Sequence, residues 1–155
     1  KIPPEYAEVD CGDDGNCFFS CIATYLNNKK YKKRKKILYC IFQVRHLLSC
    51  ELKRNIGYYI PLISLFIKKQ DEAEKIVKIR KYSRYIKYFQ KNNIYIEGHA
   101  IIQAVSNLYN LRVFVYSNDN NITVSYPTHE NKYTSEIYLK NMSRFNYKLL
   151  TPVNN

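Results

Sequence analysis

Residues 13–26 read DDGNCFFSCIATYL, a polar turn that runs directly into an apolar stretch with helical periodicity. If Phe18 opens the helix, Cys17 sits at its N-terminus, where unpaired amide N–H groups and the positive end of the dipole favour a thiolate. Position has to help, because an ordinary thiol is only ~3% ionised at pH 7. The turn Asp14, Gly15 and Asn16 can aim further N–H groups at a developing oxyanion, and Gly15 lets the backbone approach without a side chain in the way. A turn followed by a buried structural cysteine reads from the same pattern. Calcium does not fit: an EF-hand alignment of Asp10 and Asp14 puts Gly12 and Cys21 where oxygen ligands are required.

The rest of the chain frames that segment. At 155 residues it has the length of a single domain spanning 1–155, of a kind that a longer chain could carry. The basic run from Lys29 through Lys36 leads into a helix with Ile37, Ile41, Val44, Leu48 and Leu52 on one stripe. A short apolar helix is expected after Gly57 and Pro61, and another from Asp71 with Ile76, Ile79, Ile86 and Phe89 inward. His99 opens a further one whose face is Ile101, Ile102, Val105 and Leu108. Beyond Asn110 the pattern turns to strand: RVFVYS (112–117), a turn at SNDNN, ITVSY (122–126), then EIYLK and FNYKLL. Helices first and strands last, without regular alternation, argue an α+β domain.

Five cysteines, Cys11, Cys17, Cys21, Cys40 and Cys50, with no CxxC pair, argue against a zinc site and against a disulfide framework. All but Cys17 read as core residues, and no cofactor or metal is expected. The longest apolar run, residues 56–67, is short of the ~20 residues that span a bilayer, so a cytoplasmic, reducing setting is expected. Twenty-five Lys and Arg against thirteen Asp and Glu leave a net +12. Residues 29–36 could therefore make weak contact with nucleic acid or an anionic membrane, although the same run also reads as a solvated face.

Three separated stretches, in the right order, resemble the ovarian tumour (OTU) family of cysteine deubiquitinases. DDGNCFFSCIATYL is similar to the family's Asp-Gly-Asn-Cys-Leu-Phe nucleophile segment, and YIEGHAIIQAVSNLYNLRVFVYS (95–117) to its Trp-Gly-Asp-His helix and following strand, with Ile96 and Glu97 in place of Trp-Gly. EIYLKNMSRFNYKLL (136–150) resembles its two closing strands. The resemblance implies an OTU-like fold, a mixed β-sheet flanked by helices, in a monomer whose partner is ubiquitin or a ubiquitin-like protein. It also implies Cys17 as nucleophile and Asp14, Gly15, Asn16 and Cys17 around the oxyanion, with Asp14 counted among the catalytic residues. The family's catalytic His falls on Asn146, and the orienting Asp or Asn two places later on Lys148. A carboxamide cannot hold the thiol's proton, so the activating pair is incomplete. Three readings stay open: an inactivated isopeptidase, a silent ubiquitin-binding module, and an enzyme whose base has moved to His99 or His129. On the family alignment Asn146 faces Cys17 and Tyr147 points to the opposite side of its strand.

Overall fold

The computed structural model describes residues 5–12, 16–30, 40–67, 83, 86, 99–143 and 146–153. Along the chain these form β1 (Tyr6–Asp10), α1 (Cys17–Lys30), α2 (Ile41–Arg54), α3 (Ile56–Ile67), α4 (His99–Tyr109), β2 (Leu111–Ser117), β3 (Ile122–Ser125), β4 (Ser135–Ser143) and β5 (Asn146–Pro152). The strands make one mixed sheet in the order β1-β5-β4-β2-β3, with β2 and β4 parallel and the other pairs antiparallel. The α+β class and the mixed sheet expected from the sequence are the ones observed.

The apolar stripes read from the sequence are the ones that close the core. Val44, Leu48 and Leu52 of α2 are wholly buried, as are Ile101 and Val105 of α4, while Ile41, Ile102 and Leu108 pack at the margin. On α1, Phe19, Ile22 and Leu26 are buried, each burial contributing roughly 1.5–3 kcal/mol before entropy is counted. The inner face of the sheet meets them with Val113, Ile137, Leu139, Tyr147 and Leu149. Of the helix expected from Asp71, only Ser83 and Ile86 are described; both are helical, and Ile86 is buried as expected.

Three features depart from the expectations. α3 starts before Gly57 and carries Pro61 inside it rather than ahead of it. Proline removes the hydrogen bond to the carbonyl four residues back, here that of Gly57, but the burial of Tyr59 and Ile63 holds the helix together. Nor do the remaining cysteines all lie in the core: Cys21 does, whereas Cys11 and Cys50 are partly exposed and Cys40 is an exposed residue capping the start of α2. β1, unmarked in the sequence, lies at the sheet edge and pairs along its length with β5, from Tyr6 opposite Pro152 to Asp10 opposite Lys148.

The turn at Asn110 decides which groups share an end of the sheet. Asn110 takes a φ of 55° and leads α4 straight into β2. The chain reverses there, so His99, at the N-terminus of α4, lies toward the C-terminal end of β2.

Candidate active site

The segment leading to Cys17 is shaped at both described ends. The Asp10 carboxylate accepts the Gly12 N–H at 3.0 Å, a local turn that Gly12 completes with a φ of +106°, a region that other residues rarely adopt. At the far end the Asn16 carbonyl accepts the Ser20 N–H at 2.8 Å, which makes Asn16 the cap and Cys17 the first helical residue. The Asn16 side chain is buried, and its Oδ1 accepts from Arg45 Nε at 2.8 Å. Arg45, on α2, is itself completely buried and stacks its guanidinium 4.3 Å over the ring of Phe19. One charged side chain thus ties the residue before Cys17 to the core beneath it.

β5 passes directly over the sulfur. The Tyr147 backbone N–H points at Cys17 Sγ at 3.2 Å, and one helical turn on, the Cys21 thiol reaches the Tyr147 carbonyl at 3.6 Å. The Tyr147 ring packs edge-on against Phe18, with centroids 5.2 Å apart. Contrary to the expectation that Tyr147 points to the side of β5 opposite Cys17, alternation along β5 sends Tyr147 and Leu149 into the core that α1 covers, while Lys148 reaches Glu8 across the sheet at 3.6 Å. The group meeting the thiol is therefore the peptide joining Asn146 to Tyr147, its carbonyl carbon within ~4.5 Å of the sulfur by bond geometry. Asn146 is half-buried, with its Oδ1 shut off from solvent. Cys17 is itself only 1% exposed.

Of the residues singled out in the sequence, the fold brings Asn16, Cys17 and the 146–147 peptide together. Asp14 and Gly15, expected to complete the oxyanion turn, lie outside the described residues, as do Ile96, Glu97 and residues 31–36 of the basic run. Lys29 and Lys30 end α1. The three histidines separate clearly. His46 is exposed on α2, with its Nε2 3.8 Å from Cys50 Sγ. His129 is exposed in the β3–β4 connection, which enters β4 at Ser135, whereas Asn146 pairs with Ser143 at the other end of that strand. At about 3.3 Å per residue, that separates it from Cys17 by roughly 20 Å or more. His99 is exposed at the end of the sheet that carries Cys17.

Two arrangements were not anticipated from the sequence. The first is Arg45, which falls between Val44 and Leu48 on the apolar stripe of α2; a charged residue inside such an arc is the signal that would have marked it. The second is a polar network at the opposite end of the sheet. The buried Tyr59 hydroxyl donates to Glu51 Oε2 at 2.8 Å and accepts from Asn107 Nδ2 at 2.9 Å, and burial pushes its ionisation up. Glu51, Asn107 and His129 are among the residues lining a cavity of about 520 Å³ there. Among the described residues no group of His, Cys, Asp or Glu is arranged to hold a metal ion, and no helix is long and apolar enough to cross a membrane.

The architecture is that of an α+β domain presenting a cysteine at the first turn of a helix that crosses a mixed sheet. Among solved structures this is the OTU fold. The chain superposes on an OTU deubiquitinase from Wolbachia pipientis wMel with a TM-score of 0.69 at 12% identity, over 99% of this chain and 92% of that one. An OTU deubiquitinase from Wolbachia pipientis wMel bound to ubiquitin gives a TM-score of 0.66 at 11% identity, over 98% and 99% of the two chains. The Hazara virus OTU bound to ubiquitin gives 0.60 at 12% identity, over 97% and 83%. Compared by sequence, the chain matches no family model and no curated protein.

Proposed function

We propose that the domain is a thiol isopeptidase of the OTU kind acting on ubiquitin or a ubiquitin-like modifier, with Cys17 as nucleophile and the base position held by Asn146. The observation that carries this is the placement of Cys17 Sγ at the first turn of α1 with the Tyr147 N–H on it at 3.2 Å. Helix end and N–H both offer positive partial charge to the sulfur. The Cys17 N–H and the turn at 14–16 would hold the carbonyl oxygen as it becomes negative, and ubiquitin on two structural neighbours supports that partner here. Because the sulfur is covered, acylation requires the groups around it to part, and because Asn146 cannot take a proton the chain itself cleaves weakly. A thiol-rich domain of this kind works in a reducing, cytosolic setting.

The experiment is a ubiquitin probe with a thiol-reactive C-terminus, alongside hydrolysis of a ubiquitin C-terminal amide. Adduct formation should vanish on Cys17→Ala. Asn146→His should raise hydrolysis by on the order of 10³-fold, since an imidazole there would take the thiol's proton and return it to the leaving amine. Should the unmodified chain hydrolyse at full rates and lose them on His99→Ala, the base is His99, the histidine at Cys17's end of the sheet. The Asn at the base position also favours a second reading, a silent module that binds ubiquitin indifferently to Cys17→Ala and stays inactive as Asn146→His. Absence of both adduct and ubiquitin binding would exclude the two together.

A further inference from the structure

The cavity at the end of the sheet away from Cys17 is built around a carboxylate with one oxygen left over. Glu51, in the last turn of α2, is 9% exposed, a degree of burial that carboxylates reach only with partners. Its Oε2 has two donors: the Tyr59 hydroxyl at 2.8 Å and Asn55 Nδ2 at 3.0 Å. Its Oε1 accepts no hydrogen bond from the described residues, and no lysine or arginine among them pairs with it. The polar atoms sealed from solvent without a partner lie elsewhere, so this oxygen opens on the cavity that Glu51 lines.

The wall around it is held in place. The Tyr59 hydroxyl accepts from Asn107 Nδ2 at 2.9 Å, and Asn107 Oδ1 accepts the Thr128 N–H at 2.8 Å and the Thr128 hydroxyl at 3.1 Å. That chain ties α2, α3, α4 and the β3–β4 connection into one frame. Tyr58 lines the cavity, 46% exposed, with its ring set edge-on against Tyr59 at 4.9 Å. Opposite, Asn131 Oδ1 accepts the Tyr133 N–H at 2.8 Å and Asn110 Nδ2 at 3.2 Å, which leaves the Asn131 Nδ2 without a partner among the described residues. Lys53 and Arg54 are exposed on α2 and do not line the cavity; its titratable lining groups among the described residues are Glu51, Tyr58 and the exposed His129. α4 ends at Tyr109, just before Asn110, so its negative dipole end adds to the carboxylate, while that of α2 is offset by the start of α3 at Ile56.

We propose that this cavity binds the primary ammonium group of a small aliphatic amine, held by Glu51 Oε1 and the ring of Tyr58, with a hydroxyl on the ligand meeting the Asn131 amide. An ammonium fits better than a guanidinium, because the bidentate fork needs both carboxylate oxygens and Oε2 is already taken. A neutral ligand displaces water without replacing it by a charge-assisted bond. The chain carries a net +12, so its overall field repels a cation, and retention here has to come from the local groups. None of this depends on Cys17 being a nucleophile.

The probe is 5-aminopentan-1-ol, titrated into the full chain labelled with nitrogen-15 and followed by its amide shifts, with 1,5-pentanediol as the uncharged counterpart. The expected result is saturable shifts at Asn55, Asn107, Thr128 and Asn131, a dissociation constant on the order of 1 mM or tighter, and binding of the diol weaker by at least about tenfold. Nα-acetyl-lysine amide carries the same ammonium on an amino-acid side chain; either order of affinity keeps the ammonium site, and the tighter of the two says whether a free amine or a lysine side chain is its source. In Glu51→Gln the affinity should fall about 10–100-fold. Equal binding of the diol, undiminished binding by Glu51→Gln, or shifts confined to residues away from the cavity overturns the inference. If Glu51→Gln loses its fold by circular dichroism, Tyr58→Ala at its exposed position decides: amine binding weakened at least about threefold supports the site, and unchanged binding refutes it.

Discussion

Replacing Asn16 by Ala tests whether the residue before Cys17 is held in place by Arg45. The bond from Arg45 Nε to Asn16 Oδ1 is 2.8 Å long, and both residues are buried, so water cannot take the place of the lost acceptor. A hydrogen bond to a charged group contributes about 1.5–3 kcal/mol, and the buried donor it strands adds desolvation cost, so the loss should be about 2–3 kcal/mol. For a domain of this size that lowers the melting temperature by roughly 5–10 °C. Urea unfolding followed by far-ultraviolet circular dichroism would show the midpoint falling with the slope unchanged. Arg45→Met removes the group that needs the acceptor while keeping a long apolar stem over Phe19. In that background Asn16→Ala should cost less than about 1 kcal/mol, leaving a coupling of at least ~1 kcal/mol. A single-variant loss below ~0.5 kcal/mol, or strict additivity in the pair, would refute the reasoning.

At the other end of the sheet, Tyr59→Phe removes a hydroxyl that bridges Glu51 and Asn107, and equilibrium unfolding should report a loss of about 1–3 kcal/mol; no loss would mean that water reaches this network. Gly12→Ala should cost about 1–2 kcal/mol through backbone strain alone, because a φ of +106° is poorly tolerated although nothing lies within 4 Å of an added Cβ; an unchanged melting temperature would contradict that turn. Glu8 is bonded to Lys140, and secondarily attracted by Lys148, which holds its carboxyl below the ordinary 4.5. A depressed folded-state value gives stability that is complete above the ordinary value and lost as pH falls through the folded one. Glu8→Gln should therefore cost up to about 1 kcal/mol at neutral pH and low salt, and nothing in acid or at ~1 M salt, with a pH-independent loss counting against the ion pair.

Elements with a strong apolar rhythm were legible from the sequence, because their burial is decided locally. Ile101, Val105, Val44, Leu48 and Leu52 are where their spacing puts them, and the β2–β3 hairpin turns at Asn120, an asparagine with a φ of 65°. β1 was not legible, since YAEVD spends two of its five positions on Glu8 and Asp10 and owes its strand form to a partner near the far end of the sequence. The proximity of Cys17 to residues 146 and 147 was accessible only through the OTU resemblance, because nothing local in either segment encodes it. Cys11 illustrates the remaining gap: composition reads a lone cysteine as core, and only packing shows it partly exposed, with its thiol donating to the Val9 carbonyl and the Thr24 hydroxyl.

The pairing of β1 with β5 also sets an order in time. β5 lies between β1 and β4, yet its first residue, Asn146, leaves the ribosome long after β1 ends at Asp10. At about 5–20 residues per second the N-terminal strand waits roughly 10–30 s for the strand it pairs with. Until then Cys17 has no Tyr147 amide above it and Cys21 no carbonyl, so the nascent domain carries open thiols. The neighbourhood of Cys17 is then among the last parts of the molecule to come into being, and its loop-closure cost falls on the slowest contacts of the fold.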